Sequence, residues 1–191
     1  YRAFFGVKGK VMYPKMDVLF RMIREILNTS DVTDTRRLHE IISRVKSRAQ
    51  SSLVSAGHST AVLRAASYAS PMAAFQDGMA GIAYYQFIEK LDREFDDRKE
   101  EIIENLKSLM IEILRPENLC ISYTGERESL DSVQKQIREL KKTLHQEVTE
   151  SSSSEMICEK KNEGFMTSGQ VQYVAQAGNF RKKGYDYTGA L

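Results

Sequence analysis

The chain has 191 residues, 41% of them hydrophobic, and Lys+Arg 28 against Asp+Glu 26 leave a formal charge of +2. That length allows one domain, or one and part of a second, around a real core. The balanced charge excludes a polyanion-binding footprint, and the longest basic cluster, Arg181-Lys182-Lys183, is too short to point to nucleic acid.

No apolar run reaches the ~18 residues of a membrane span, and no signal peptide opens the chain. Cys120 and Cys158 stand apart without a CxxC motif, which excludes a disulfide scaffold and suits a reduced compartment. The chain begins at Tyr1 without an initiator Met and ends at Ala190-Leu191 just after a glycine. It reads as a piece of a longer chain, with the cytoplasm as the default localisation.

In chain order, residues 1–12 alternate and are rich in aromatic and β-branched side chains, which predicts a strand. Pro14 then suits a first helical position, where its missing N–H costs nothing. Met16, Leu19, Phe20, Ile23, Ile26 and Leu27 behind it form one apolar helical face. A second helix starts at Thr33 or Asp34, either able to cap it, with Leu38, Ile41, Ile42, Val45, Ala49 and Leu53 as its stripe. Arg36, Arg37, Glu40, Arg44, Lys46 and Arg48 lie away from that stripe. The pattern continues to about Ala69, interrupted only by Gly57. Ser70-Pro71 reads as cap plus first helical residue of a third helix running to about Phe95. Asp96 and Asp97 favour a fourth helix start, against the positive end of its dipole. Ile102, Ile103, Leu106, Leu109, Met110 and Ile113 line that helix, and Arg115-Pro116 stops it.

Residues 119–124, LCISYT, are short, apolar and alternating, and predict a second strand. Ser129 caps a fifth helix with Leu130, Val133, Ile137, Leu140 and Leu144 on one face. The polar stretch that follows, with four consecutive serines, cannot offset its own ordering entropy and reads as a linker over 150–169. Residues 170–177 alternate again and predict the opening strand of a following domain. The fold expected from these elements is helix-rich α/β (α+β), with long antiparallel helices packed on a small β-sheet. Its divisions are 1–127 as an α/β region, 128–149 as a helix, 150–169 as linker and 170–191 as the opening of the next domain.

Residues 53–91 are helical in spacing but packed with Ala, Gly and Ser, so neighbouring backbones can approach to about 8 Å between axes. Gly78 and Gly81, three apart, share roughly one side of the third helix and are expected to meet the small surface of Ala56, Ala61 and Ala65. They are not a phosphate loop, since they fall inside a helical pattern and not after a strand. Catalytic motifs are missing from the sequence. His39-Glu40 opens an H-E-x-x-H zincin motif, but position 43 is Ser, so the second imidazole one turn away is absent. No G-x-S-x-G elbow appears, and Cys120 has no arranged base. His39 and His145 read as solvated surface histidines. His58, beside Gly57 on an Ala-rich face, reads as a helix-packing residue or as one lining a substrate chamber.

The order Ala56-Gly57-His58-Ser59, Ala65-Ala66-Ser67-Tyr68, Ser70-Pro71, Gly78 and Gly81-Ile82 resembles the third domain of presequence-protease-like zinc metallopeptidases. These are a branch of the pitrilysin/insulinase superfamily. Asp34-Thr35-Arg36-Arg37-Leu38, Lys46-Ser47-Arg48, Tyr84-Tyr85 and the 118–124 segment fall in the same order, so the resemblance covers about residues 1–127, and 170–191 more faintly. It implies a non-catalytic wall of a chamber that admits unfolded peptides, built by four α/β domains of related fold. In such enzymes the zinc and its H-x-x-E-H lie in the first domain, so no metal ligand or catalytic Glu carries over and this chain needs no cofactor of its own. Gly57, His58, Ser70, Pro71, Gly78 and Gly81 are its structural or chamber-lining candidates. The partners implied are the other domains of the same parent chain and an unfolded peptide, with no nucleic acid and no membrane. Members of the family occur in bacteria and in organelles, which adds the organelle matrix as an alternative compartment. A different class of function stays open: a non-enzymatic helical module that docks on a partner through its small-residue groove.

Overall fold

A computed structural model describes residues 4–146, 158–167 and 170–186. Among them are seven α-helices: α1 (Met16–Thr29), α2 (Thr35–Ser55), α3 (Gly57–Ser67), α4 (Pro71–Ala80), α5 (Ile82–Arg93), α6 (Phe95–Ile113) and α7 (Leu130–Thr143). None of them is long and apolar enough to cross a membrane. Two compact units divide the chain, Tyr1–Thr35 with Arg98–Ser151 and Arg36–Asp97 with Ser152–Leu191, and the division falls within the first turn of α6.

The expected β-sheet is absent: the described residues contain no strand, which overturns the reading of helices packed on a sheet. A strand exists only where a neighbour takes up its N–H and C=O groups. The three alternating segments find no such neighbour. Residues 4–12 lie beside α1, where Val11 joins the core and a Cβ on Gly9 would meet Leu19 Cδ1 at 2.3 Å. In residues 119–124, Leu119 and Tyr123 turn inward while Ile121 stays outside. Positions 119, 121 and 123 would share one face of a strand, so the outward Ile121 shows that this segment does not keep an alternating geometry, and residues 4–10 and most of 170–177 are exposed at both parities. Residues 1–3 of the first expected strand lie outside the described residues, as do 147–157 and 168–169 of the helix and linker readings and 187–191 of the last segment.

In the first unit the core is a single apolar cluster of Met16, Phe20 and Leu27 from α1 with Val133, Leu140 and Leu144 at α7. Their spacings of four and seven, and of seven and four, put each trio on one helical face. Arg24 Nη1 donates to Gln136 Oε1 at 3.1 Å, and Asn28 Nδ2 to Thr143 Oγ1 at 3.3 Å, forming a polar seam beside that cluster. Their order, 24 to 136 and 28 to 143, makes α1 and α7 run the same way, unlike the antiparallel pairing expected. Past the end of α7, the His145 N–H donates to the Leu114 carbonyl at 3.0 Å. The Ser129 hydroxyl does not cap α7. It donates to the Glu126 carbonyl and bonds the Tyr123 hydroxyl, which ties the 119–129 connection to itself.

The second unit has little aliphatic bulk. Small side chains take its place: Ala65 of α3 and Ala73 of α4 are both buried, with Ile42, Ile82, Ile88 and Phe95 around the other contacts. Ser70 accepts from the Ala73 N–H with Pro71 at the first position of α4, as the sequence predicts. The third helix expected over Pro71 to Phe95 is in fact two, separated at Gly81 (φ −101°, ψ −153°).

The apolar cluster of the first unit supplies a direct test. Leu140 is 2% exposed there and Met22 is 55% exposed. Leu140→Ala should cost about 2–5 kcal/mol by removing transfer energy and leaving a cavity, and Met22→Ala should change stability by less than about 0.5 kcal/mol. Urea unfolding midpoints of the two variants check this, and equal midpoints would contradict the core placement.

Candidate functional site

The densest polar constellation of the second unit centres on Arg64, on α3. Its guanidinium grips two carboxylates with different edges. Nη1 donates to Asp77 Oδ2 at 2.6 Å, while Nε and Nη2 donate to Glu163 Oε2 and Oε1 at 2.8 and 3.0 Å. The second contact is the planar two-point fork that arginine forms and lysine cannot. The Tyr68 hydroxyl, one helical turn further along, also donates to Glu163 Oε2. The Arg64 carbon sits 5.5 Å from the Tyr68 ring centroid and 5.8 Å from that of Phe165. Its bond to Arg64 holds the Glu163 carboxyl below the ordinary carboxylate range. Burial, and then the bond to Glu163, push the Tyr68 hydroxyl above its usual range, so it stays a donor.

Asp77 is the fixed point of this group. It is 2% exposed, and its Oδ1 accepts the Ile82 N–H at 2.9 Å, which satisfies a donor at the start of α5. The room for that carboxylate comes from Gly81: a Cβ there would lie 2.2 Å from Asp77 Oδ1 and 2.9 Å from Asp77 Cα. So Gly81 serves the α4–α5 junction, not a contact with Ala56, Ala61 or Ala65. Gly78 has open space where its Cβ would stand, and so makes no close helix contact. At Gly57 a Cβ would meet the Tyr173 ring at 2.6 Å, and the His58 ring lies 6.1 Å from the same ring, centroid to centroid. The six residues singled out in the sequence therefore do not converge on one site. Gly57 and His58 face Tyr173, Ser70 and Pro71 open α4, and Gly81 frames Asp77.

A second carboxylate, the partly buried Asp92 of α5, faces one stripe of α2. It accepts from the Ser43 hydroxyl and the Lys46 ammonium, and His39 Nε2 lies 3.4 Å from its Oδ1. His39, Ser43 and Lys46 are spaced by four and three, so a single helix face presents all three. The His39 ring stacks on Phe95 at 4.4 Å with 12° between planes, so it is a partly buried packing residue and not the freely solvated histidine expected. The bond to Lys46, then that to Ser43, hold Asp92 below its ordinary 3.8.

Sequence reasoning missed Arg64, Asp77 and Glu163. The one signal available was a lone arginine, Arg64, on a face otherwise of Ala and Ser. Among the described residues no three His, Cys, Asp or Glu side chains come together as metal ligands, and Asp77 and Asp92 are each paired with an arginine or a lysine.

Two predictions test this geometry. Gly78→Ala should stabilise the chain by about 0.5–1 kcal/mol, the backbone-entropy gain in an open helix interior, whereas Gly81→Ala should destabilise it by about 1–3 kcal/mol through collision with Asp77. Thermal melts giving the two the same sign would rule out this account. Asp92→Asn should cost about 1–3 kcal/mol near neutral pH by leaving Lys46 and His39 without their carboxylate. Because the folded Asp92 titrates below 3.8, its contribution is complete above 3.8 and is lost as pH falls through the lower folded value. The gap between the chain and D92N should thus close on acidification, and a gap that persists would show that Asp92 acts otherwise.

Residues 1–91 match the family model described as peptidase M16C associated. The chain is 30% identical over 191 residues to Protein HypA of Clostridium perfringens, a match that covers all of this chain and 19% of that protein. It is 25% identical over 189 residues to Presequence protease 1, chloroplastic/mitochondrial, of Arabidopsis thaliana, covering 96% of this chain and 17% of the relative. Against the mitochondrial presequence protease of Yarrowia lipolytica it is 27% identical over 106 residues, or 55% of this chain and 11% of that one. The chain thus spans about a fifth or less of the length of these relatives. With those matches the resemblance read from its landmarks is borne out: this is a pitrilysin/insulinase-like segment, similar to presequence proteases and carrying the region associated with M16C peptidases.

Proposed function

We propose that this chain is a non-catalytic wall of the chamber in a zinc-dependent oligopeptidase that degrades unfolded peptides. The match of residues 1–91 to the peptidase M16C associated family carries this reading. In it, the metal and the catalytic Glu are supplied by another part of the parent chain, and the helical units described here hold a rigid surface against it. Asp77 and Asp92 suit that task, because each fixes a junction between helices through several hydrogen bonds at once. The docking-module alternative relies on a free small-residue groove, yet Ala65 and Ala73 are spent inside the second unit. The names of two relatives place those proteins in mitochondria or chloroplasts, which supports an organelle matrix or its bacterial counterpart as the compartment.

The test compares two lengths of protein. A metal chelator should abolish hydrolysis of an unstructured peptide by the parent chain. The 191-residue chain by itself should hydrolyse none and hold no stoichiometric zinc by elemental analysis. One zinc per chain, or hydrolysis by the chain alone, would overturn the proposal.

A further inference from the structure

Arg64, Asp77 and Tyr68 form a prearranged receptor. Asp77 is buried and holds Nη1, which turns the other edge of the guanidinium, Nε and Nη2, toward Glu163. The Tyr68 hydroxyl adds a third donor to the same carboxylate, and the Arg64 side chain is only 14% exposed. The occupant is held quite differently. Residues 159–167 are all exposed, Met166 completely, so apolar burial does little to keep this segment down. Glu163 thus binds as a peptide ligand would: an extended, solvated segment whose carboxylate is gripped at two points, with the Phe165 ring against the guanidinium.

We propose that Arg64 and Tyr68 form a carboxylate-binding site for an unfolded peptide, occupied in cis by Glu163, so that residues 158–167 act as an exchangeable strap over it. The recognised group is a carboxylate, from an acidic side chain or a peptide C-terminus. A peptide that takes the site displaces the strap, and the strap in turn sets a threshold against weakly bound peptides. The site stands independently of the peptidase reading, since its test needs only binding to this chain.

Three hexapeptides with the sequence of residues 162–167 separate the two sources of carboxylate. In the first, acetylated and amidated, the Glu side chain is the sole carboxylate. In the second, Gln replaces Glu and the C-terminus is free. The third carries Gln and an amide, and has no carboxylate at all. Calorimetry on the 191-residue chain bearing Glu163→Gln should show the first or the second binding at least tenfold tighter than the third, and the tighter of them identifies the source. Adding Arg64→Lys, which keeps the charge but loses the fork, should erase the preference. Equal binding of all three, or none, would overturn the proposal. The unsubstituted chain gives a second readout that needs no variant. The preferred peptide should speed tryptic cleavage after Lys160 and Lys161 severalfold, and an unchanged rate at saturating peptide would count equally against the strap.

Discussion

The second unit depends on one buried carboxylate. Asp77 accepts the first free N–H of α5 with one oxygen and the Arg64 guanidinium with the other, so it joins α3, α4 and α5 at a point where few large apolar side chains meet. Removing either partner would leave a buried acceptor unsatisfied, which costs more than the bond itself contributes. Gly81 is the steric condition for this arrangement, because any Cβ there would occupy the space of the carboxylate. The same atoms thus decide where α4 ends, where α5 begins and which way Arg64 points.

The two units are held by different physics. In the first, α1 and α7 close on an apolar cluster of Met, Phe, Leu and Val, stabilised by area removed from water, with a polar seam at its edge. In the second, Ala65 and Ala73 bring backbones together while aspartates at positions 77 and 92 tie the helices laterally. Small side chains gain little from burial, so directional bonds must define the geometry there. The cost of that choice is sensitivity: an apolar core tolerates a swapped methyl group, whereas a network of this kind fails when one partner is lost.

The helices were legible because their apolar spacing is redundant. Six positions from Met16 to Leu27 repeat one face, and a single misread residue does not alter it. The strands were not, since alternation in the sequence is a pattern of residue types that fixes neither a dry face nor a pairing partner. Leu119 and Tyr123 pack against the first unit's core while Ile121 between them is exposed, and no ladder forms. Gly81 was recognised as a place of close approach, but its partner was Asp77, four residues back in the helix it terminates, and not on a facing one. Glu163 was beyond reach for a deeper reason. It sits in a polar stretch whose composition argues for solvation, and nothing local in the sequence couples it to an arginine 99 positions earlier.

The long-range reach of Glu163 also bears on how such a region can serve a peptidase without taking part in its chemistry. Under the proposed role, a wall around an unfolded substrate must stay rigid yet meet chains of unrelated sequence, so it has to grip features that recur among peptides. A terminal carboxylate is common to all free peptides and acidic side chains are frequent, and a guanidinium fixed by a buried aspartate recognises either by shape as well as charge. In the proposed site, Asp77 and Glu163 have complementary parts: the buried carboxylate fixes the guanidinium of Arg64, and its other edge is left to hold the exposed one.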